Sequence, residues 1–209
     1  MGRVVYWCAC GVVSGIVRSV CRVTITWLGG RRLKGPLVIV TNHVSRFDMI
    51  VVSACLPLRV HLVMARDVIR GHPIMSAVLC AVGRSVGAIV VPRWGSPSPT
   101  AVRRAVELLR DGGTIMIAPE GTRNRSDRIL PARGGAAYLA RHSNAAILPI
   151  VTTGYRRGRL GRIAIAITIG SQFRLGELDG PPTREQIRLD SEAITAKLQL
   201  LVDLANGRK

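Results

Sequence analysis

Short apolar runs rich in β-branched residues alternate with helix-forming stretches from residue 37 almost to the C-terminus. This alternation constrains the fold more than any other feature of the chain. Residues 37–40, 60–64, 88–91, 114–118, 146–151 and 163–169 read as buried strands. Between them, 48–56 is a helix stopped by Pro57, and 73–82 is a helix with proline in its first turn. Residues 100–110 form a helix closed by Gly112 and Gly113, and 134–141 form a further one. Residues 183–204 make a long C-terminal helix. Strands interleaved with helices in this way predict an α/β fold with a mixed, largely parallel sheet flanked by helices. A length of 209 residues suits one such domain. Residues 95–99 and 154–161 read as flexible loops.

The first 30 residues differ from the rest. Residues 4–17 are apolar, but fourteen residues fall short of the roughly 20 that cross a bilayer. Arg18 and Arg22 interrupt before a second apolar piece, and no small-residue cleavage site marks a signal peptide. The segment reads as two short helices lying at a membrane interface, with Trp7 and Trp27 near the headgroups. A core helix of a soluble domain and a span are the alternatives. The expected organisation is thus a membrane-associating segment over 1–30 and an α/β domain over 31–209. The formal charge is +18, and all but three of the basic residues (Lys34, Lys197 and Lys209) are arginine. A chain this basic needs an anionic partner: nucleic acid, an acidic membrane or phosphate-bearing substrates. Aromatics are only 4%, which argues against a nucleic-acid binder that stacks bases, and the mean hydropathy of +0.28 favours a membrane surface. Five scattered cysteines form neither a disulfide framework nor a zinc motif, which suits a reducing, cytoplasmic setting.

Candidate chemistry lies where strands end. His43 and Asp48 follow the first strand. Histidine accepts a proton near neutral pH, and a carboxylate can fix its tautomer. The bland alternative is a loop histidine beside an N-cap aspartate. Arg93 ends the third strand. Pro119-Glu120-Gly121-Thr122-Arg123 follows the fourth, where Gly121 permits a tight turn and Arg123 offers a forked donor for phosphate. In open α/β sheets such strand ends carry the ligand site. Gly83 to Gly87 spells GxSxG, but a helix precedes it and a strand follows, the reverse of what a nucleophilic Ser85 requires. His61, His72 and His142 have no carboxylate nearby in sequence and read as structural or surface residues.

Taken in order, these blocks resemble the 1-acylglycerol-3-phosphate acyltransferases, the PlsC type of glycerolipid acyltransferase. The NHxSxxD block is matched by Asn42, His43, Ser45 and Asp48. A glycine, an apolar strand and an arginine are matched from Gly87 to Arg93, and PEGTR by Pro119 to Arg123. An apolar–proline–apolar block is matched by Leu148-Pro149-Ile150. The chain has Val90, Ala118 and Arg133-Gly134 where the family often has an aromatic, a phenylalanine and two lysines. The resemblance implies a glycerol-3-phosphate acyltransferase-like fold. It implies transfer of a fatty acyl group from acyl-CoA or acyl carrier protein to the sn-2 hydroxyl of 1-acylglycerol-3-phosphate, giving phosphatidic acid for phospholipid synthesis. His43 and Asp48 would be catalytic. Arg93, Glu120, Gly121, Thr122 and Arg123 would hold the acceptor, with Asn42, Ser45 and Pro149 in support. No metal or cofactor is expected beyond the thioester substrate, and the protein is expected on the cytoplasmic face of the cell membrane as a peripheral enzyme. Nine arginines against one acid, Asp127, between residues 121 and 162 suit anionic substrates and lipid. Another lysophospholipid or an amino-lipid is the alternative acceptor; a nucleic-acid binder and an inactive membrane adaptor are the rivals of other classes.

Overall fold

The computed structural model describes residues 3–30, 33, 35–45, 48–66, 72–85, 87–92, 98–157, 162–178 and 180–207. Its elements are α1 (Arg3–Val20), β1 (Cys21–Trp27), β2 (Leu37–Thr41), α2 (Asp48–Cys55), β3 (Val60–Ala65), α3 (Pro73–Ser85), β4 (Ile89–Val91), α4 (Pro99–Arg110), β5 (Thr114–Ile117), α5 (Gly135–Ser143), β6 (Ala146–Arg157), β7 (Ile163–Ile169) and α6 (Arg184–Ala205). Seven strands form one sheet in the order β1-β7-β6-β2-β5-β3-β4. Every neighbouring pair is parallel except β6 and β7. The mixed, largely parallel sheet expected from the alternating pattern is therefore present.

Side chains along the central strands alternate between two cores, as the pleat requires. Val38 and Val40 of β2, with Ile147 and Val151 of β6, join Ala105 to Leu109 of α4, Ala136 to Ala140 of α5, and Ile194 to Val202 of α6. Leu37 and Ile39, with Leu148 and Ile150, join Val17 of α1 and Val51 and Val52 of α2. The central strands, β2 above all, are buried on both faces, which is why they read as continuous apolar runs. Caps fix the helix ends. Ser98 accepts from the N–H of Ala101 at 3.2 Å ahead of Pro99, and Thr183 accepts from that of Gln186 at 3.1 Å. Between α5 and α6, Arg141 donates to both oxygens of Asp190, at 2.6 and 2.8 Å. That bidentate contact raises the guanidinium's pKa above its ordinary value, against an opposing effect of burial.

The N-terminal expectation is corrected. The first piece is a helix, but the second, Cys21–Trp27, is a strand on the sheet edge, parallel to β7. Its β-branched run Val23-Thr24-Ile25-Thr26 suits an extended backbone, and β7 supplies the hydrogen-bonding partner that no sequence window reveals. The loop expected over 154–161 is also corrected in part: β6 runs to Arg157, while residues 158–161 lie outside the described residues. Most of the expected loop at 95–99 lies outside them too.

Helix α1 lies antiparallel on α2. Ser14 donates to the Ala54 carbonyl at 2.9 Å, and the Tyr6 hydroxyl accepts from the N–H of Val60 at 2.8 Å. Its outward side exposes Val12, Ile16 and Val20 in steps of four, with Trp7 and Cys8 at its start also exposed. Among the described residues no helix is long and apolar enough to cross a membrane.

Candidate functional site

The chain leaves β2 and β5 toward opposite faces. After β2 it enters α2, which packs in the core shared with α1; after β5 it enters α5, which packs in the core shared with α4 and α6. Adjacent strands whose connections part in this way open a crevice at their C-terminal ends. His43 and Asp48 stand on one lip of it, and residues 118–133 form the other.

Asp48 is fully buried at the first turn of α2. Its Oδ2 accepts the N–H of Ser45 at 2.5 Å and lies 3.4 Å from His43 Nδ1. Its Oδ1 accepts the hydroxyl of Tyr155. The His43 side chain keeps 22% exposure, so the ring meets both the carboxylate and the crevice. Histidine and aspartate thus meet as their spacing suggested, and Ser45 supports the aspartate through its main chain.

Glu120, expected among the acceptor-binding residues, faces His43 across the crevice. It is buried, and both its oxygens are taken by the protein. Oε1 accepts the N–H of His43 at 3.2 Å; Oε2 accepts Asn124 Nδ2 at 2.8 Å and the N–H of Leu130 at 3.0 Å. A carboxylate so engaged, and of the same sign as a phosphate, braces the crevice rather than gripping an anion. The N–H of Asn124 in turn donates to the His43 carbonyl at 2.7 Å. The histidine main chain is therefore held on both sides by the segment that carries Arg123.

Gly121 makes the turn, with φ +67° and its N–H on the Ala118 carbonyl at 3.1 Å. A Cβ there would stand 2.8 Å from Arg133 Nε, so only glycine lets this arginine lie across the turn. Thr122 is half-buried and Arg123 exposed beside it. Arg93 lies outside the described residues. Asn42 is a clamp between strand ends. It donates to the Thr152 carbonyl at 3.0 Å and accepts the Thr152 N–H at 2.8 Å, continuing the β2–β6 ladder through its side chain. Pro149 sits beside Val40 in that ladder, and its carbonyl accepts the N–H of Gly170 at 2.9 Å. Ser85 ends α3, and β4 follows, so the GxSxG pattern has the helix-then-strand context anticipated for it.

Nothing local in the sequence marks Tyr155 or Asn124 as part of the site, save that Asn124 directly follows the PEGTR block; Tyr155 falls in the stretch expected as a loop. A shallow cleft of about 340 Å³ between residues 131–134 and α6 is lined by neither His43 nor Asp48. Among the described residues no group of three or more His, Cys, Asp or Glu is arranged to hold a metal ion.

Comparison with known proteins gives consistent matches. A model of the Acyltransferase family matches residues 22–153, more than half the chain. A Bacillus subtilis (strain 168) protein named 1-acyl-sn-glycerol-3-phosphate acyltransferase is 23% identical over 167 residues, 78% of this chain and 80% of its own. Human 1-acyl-sn-glycerol-3-phosphate acyltransferase beta is 30% identical over 122 residues, 57% of this chain and 42% of its own; the chain thus spans less than half of that relative. The crystal structure of the 1-acyl-sn-glycerophosphate (LPA) acyltransferase PlsC from Thermotoga maritima shares the fold, with a TM-score of 0.63 at 18% identity, covering 96% of this chain and 80% of that one.

Proposed function

The chain belongs to the Acyltransferase family, and on that footing we propose that it moves a fatty acyl group from a thioester to the sn-2 hydroxyl of 1-acylglycerol-3-phosphate, forming phosphatidic acid. The relatives' names support this acceptor. One observation carries the chemistry: His43, 3.4 Å from the buried Asp48, is bonded through its main chain to the segment bearing Arg123. A base and a phosphate-binding cation then share one crevice.

His43 removes the proton of the acceptor hydroxyl as its oxygen attacks the thioester carbonyl. The new C–O bond forms, the C–S bond breaks, and the leaving sulfur takes up the proton. Asp48 holds the ring and stabilises the imidazolium. A thioester is already activated, so bringing donor and acceptor together supplies much of the rate without a covalent acyl-enzyme. Arg123, with Arg93, balances the acceptor phosphate. The donor is acyl-CoA or acyl carrier protein. The exposed row Val12, Ile16 and Val20, beside Arg18 and Arg22, suits an anionic bilayer against α1, with the enzyme peripheral on its cytoplasmic face.

The test uses purified protein, acyl-CoA and a panel of lysolipids, with products identified by mass spectrometry. Phosphatidic acid is the expected product, and His43→Ala lowers turnover by about 10²–10⁴-fold. Full activity in the variant would end the general-base assignment. Acylation of a different acceptor alone would refute the choice of substrate.

A further inference from the structure

Tyr155 reaches Asp48 through a departure from strand geometry. Along β6, Ile147 and Val151 pack in the core under α4, α5 and α6, while Leu148 and Ile150 pack in the core under α1 and α2. Strict alternation would place residue 155 with Ile147 and Val151. Tyr155 packs instead with the α1–α2 core. The reversal falls at Gly154, whose φ is +89°, within a register shift between Thr153 and Arg156. A bulge of this kind re-aims the side chain that follows it. Here it turns a phenol away from the α5–α6 face and toward the first turn of α2, where its hydroxyl donates to Asp48 Oδ1.

The consequence is a carboxylate held at two points. The Ser45 N–H occupies Oδ2 and the Tyr155 hydroxyl occupies Oδ1. One bond would leave the carboxylate free to turn about Cβ–Cγ; bonds to different oxygens stop it. His43 Nδ1 is buried and makes no formed hydrogen bond, and the Asp48 oxygen it faces is 3.4 Å away. The ring therefore depends on where that oxygen is kept. We propose that Tyr155 is a positioning residue for His43, locking Asp48 so that Oδ2 faces Nδ1 and Nε2 stays free to take the proton. The inference rests on reading His43 as the base. It adds a third member, 107 residues from Asp48 in sequence, to the pair.

Tyr155→Phe keeps the ring and removes the donor. Two measurements follow, one of them independent of turnover. Long-range ¹H–¹⁵N correlation spectra of the neutral imidazole report the His43 tautomer, with assignment by His43→Ala. The native protein shows Nδ1 protonated, and Tyr155→Phe shows a mixture. In the acylation assay, kcat falls about tenfold or more while KM for donor and acceptor stays within about twofold. Gly154→Ala is the companion variant. It keeps the hydroxyl but strains the φ +89° turn that delivers it, in a place where a Cβ has room, and it gives the same tautomer change. An unchanged tautomer in both variants overturns the proposal, as does a kcat within twofold of native. If the native protein transfers no acyl group, the proposed function fails, and the tautomer arm alone decides the role of Tyr155.

Discussion

Replacing Glu120 with glutamine separates bracing from substrate contact. The native carboxylate accepts three hydrogen bonds, from the His43 N–H at 3.2 Å, the Leu130 N–H at 3.0 Å and Asn124 Nδ2 at 2.8 Å. Glutamine has one acceptor oxygen. Placed on the Oε2 side it keeps Leu130 and Asn124, and its NH₂ then confronts the His43 N–H, donor against donor. The two retained bonds lose their ionic character, about 1 kcal/mol each, and a buried donor is left unmet at about 1–3 kcal/mol. Relief from burying a charge returns part of this. The net expected loss is about 2–4 kcal/mol, or roughly 5–15 °C in melting temperature for a chain of this size. Because the lost bond is the one to His43, kcat falls with stability, while KM for the lysolipid holds. Urea titration and steady-state kinetics measure both. A stability change below about 0.5 kcal/mol together with an altered lysolipid KM would show that Glu120 meets the substrate, and the brace would be refuted.

Two further outcomes are expected. Ile16→Glu places a charge in the exposed row on α1; flotation with vesicles containing anionic lipid should show at least about tenfold weaker binding, with the fold retained by circular dichroism, and unchanged flotation would remove α1 from the membrane-facing surface. Burial holds the His61 imidazole below its ordinary pKa, against the opposing hydrogen bond to Gly87. The unfolded chain then binds the extra proton first, so stability is fully present above the unfolded value of about 6.5 and declines as pH falls through it; His61→Asn should flatten that decline in denaturant titrations from pH 7 to pH 5, and an identical slope would sink the assignment.

Much of the site was legible because its chemistry is local. Asn42 to Asp48 lie within seven residues at the end of one strand, and Pro119 to Arg123 within five at the end of another, so short windows contain whole functional units. The alternation of strand and helix placed both at C-terminal strand ends. Arrangements that depend on distant partners were not legible. Cys21–Trp27 reads as a basic, apolar helix until β7, some 140 residues later, offers an edge to pair with. The hydrogen bonds that Glu120 accepts from His43, 77 residues away, and from Leu130 are likewise invisible in the PEGTR block.

The α/β class, the order of the motif blocks and the meeting of His43 with Asp48 follow from local pattern, because hydrophobic period and a five-residue turn are properties of neighbours along the chain. The folded sheet was needed to show that Asn42 clamps Thr152, that Glu120 holds the histidine backbone, and that a bulge at Gly154 brings Tyr155 onto Asp48. Each of these joins residues 77 to 110 positions apart, and such contacts exist only once the sheet order and its packing have put them in hydrogen-bonding reach.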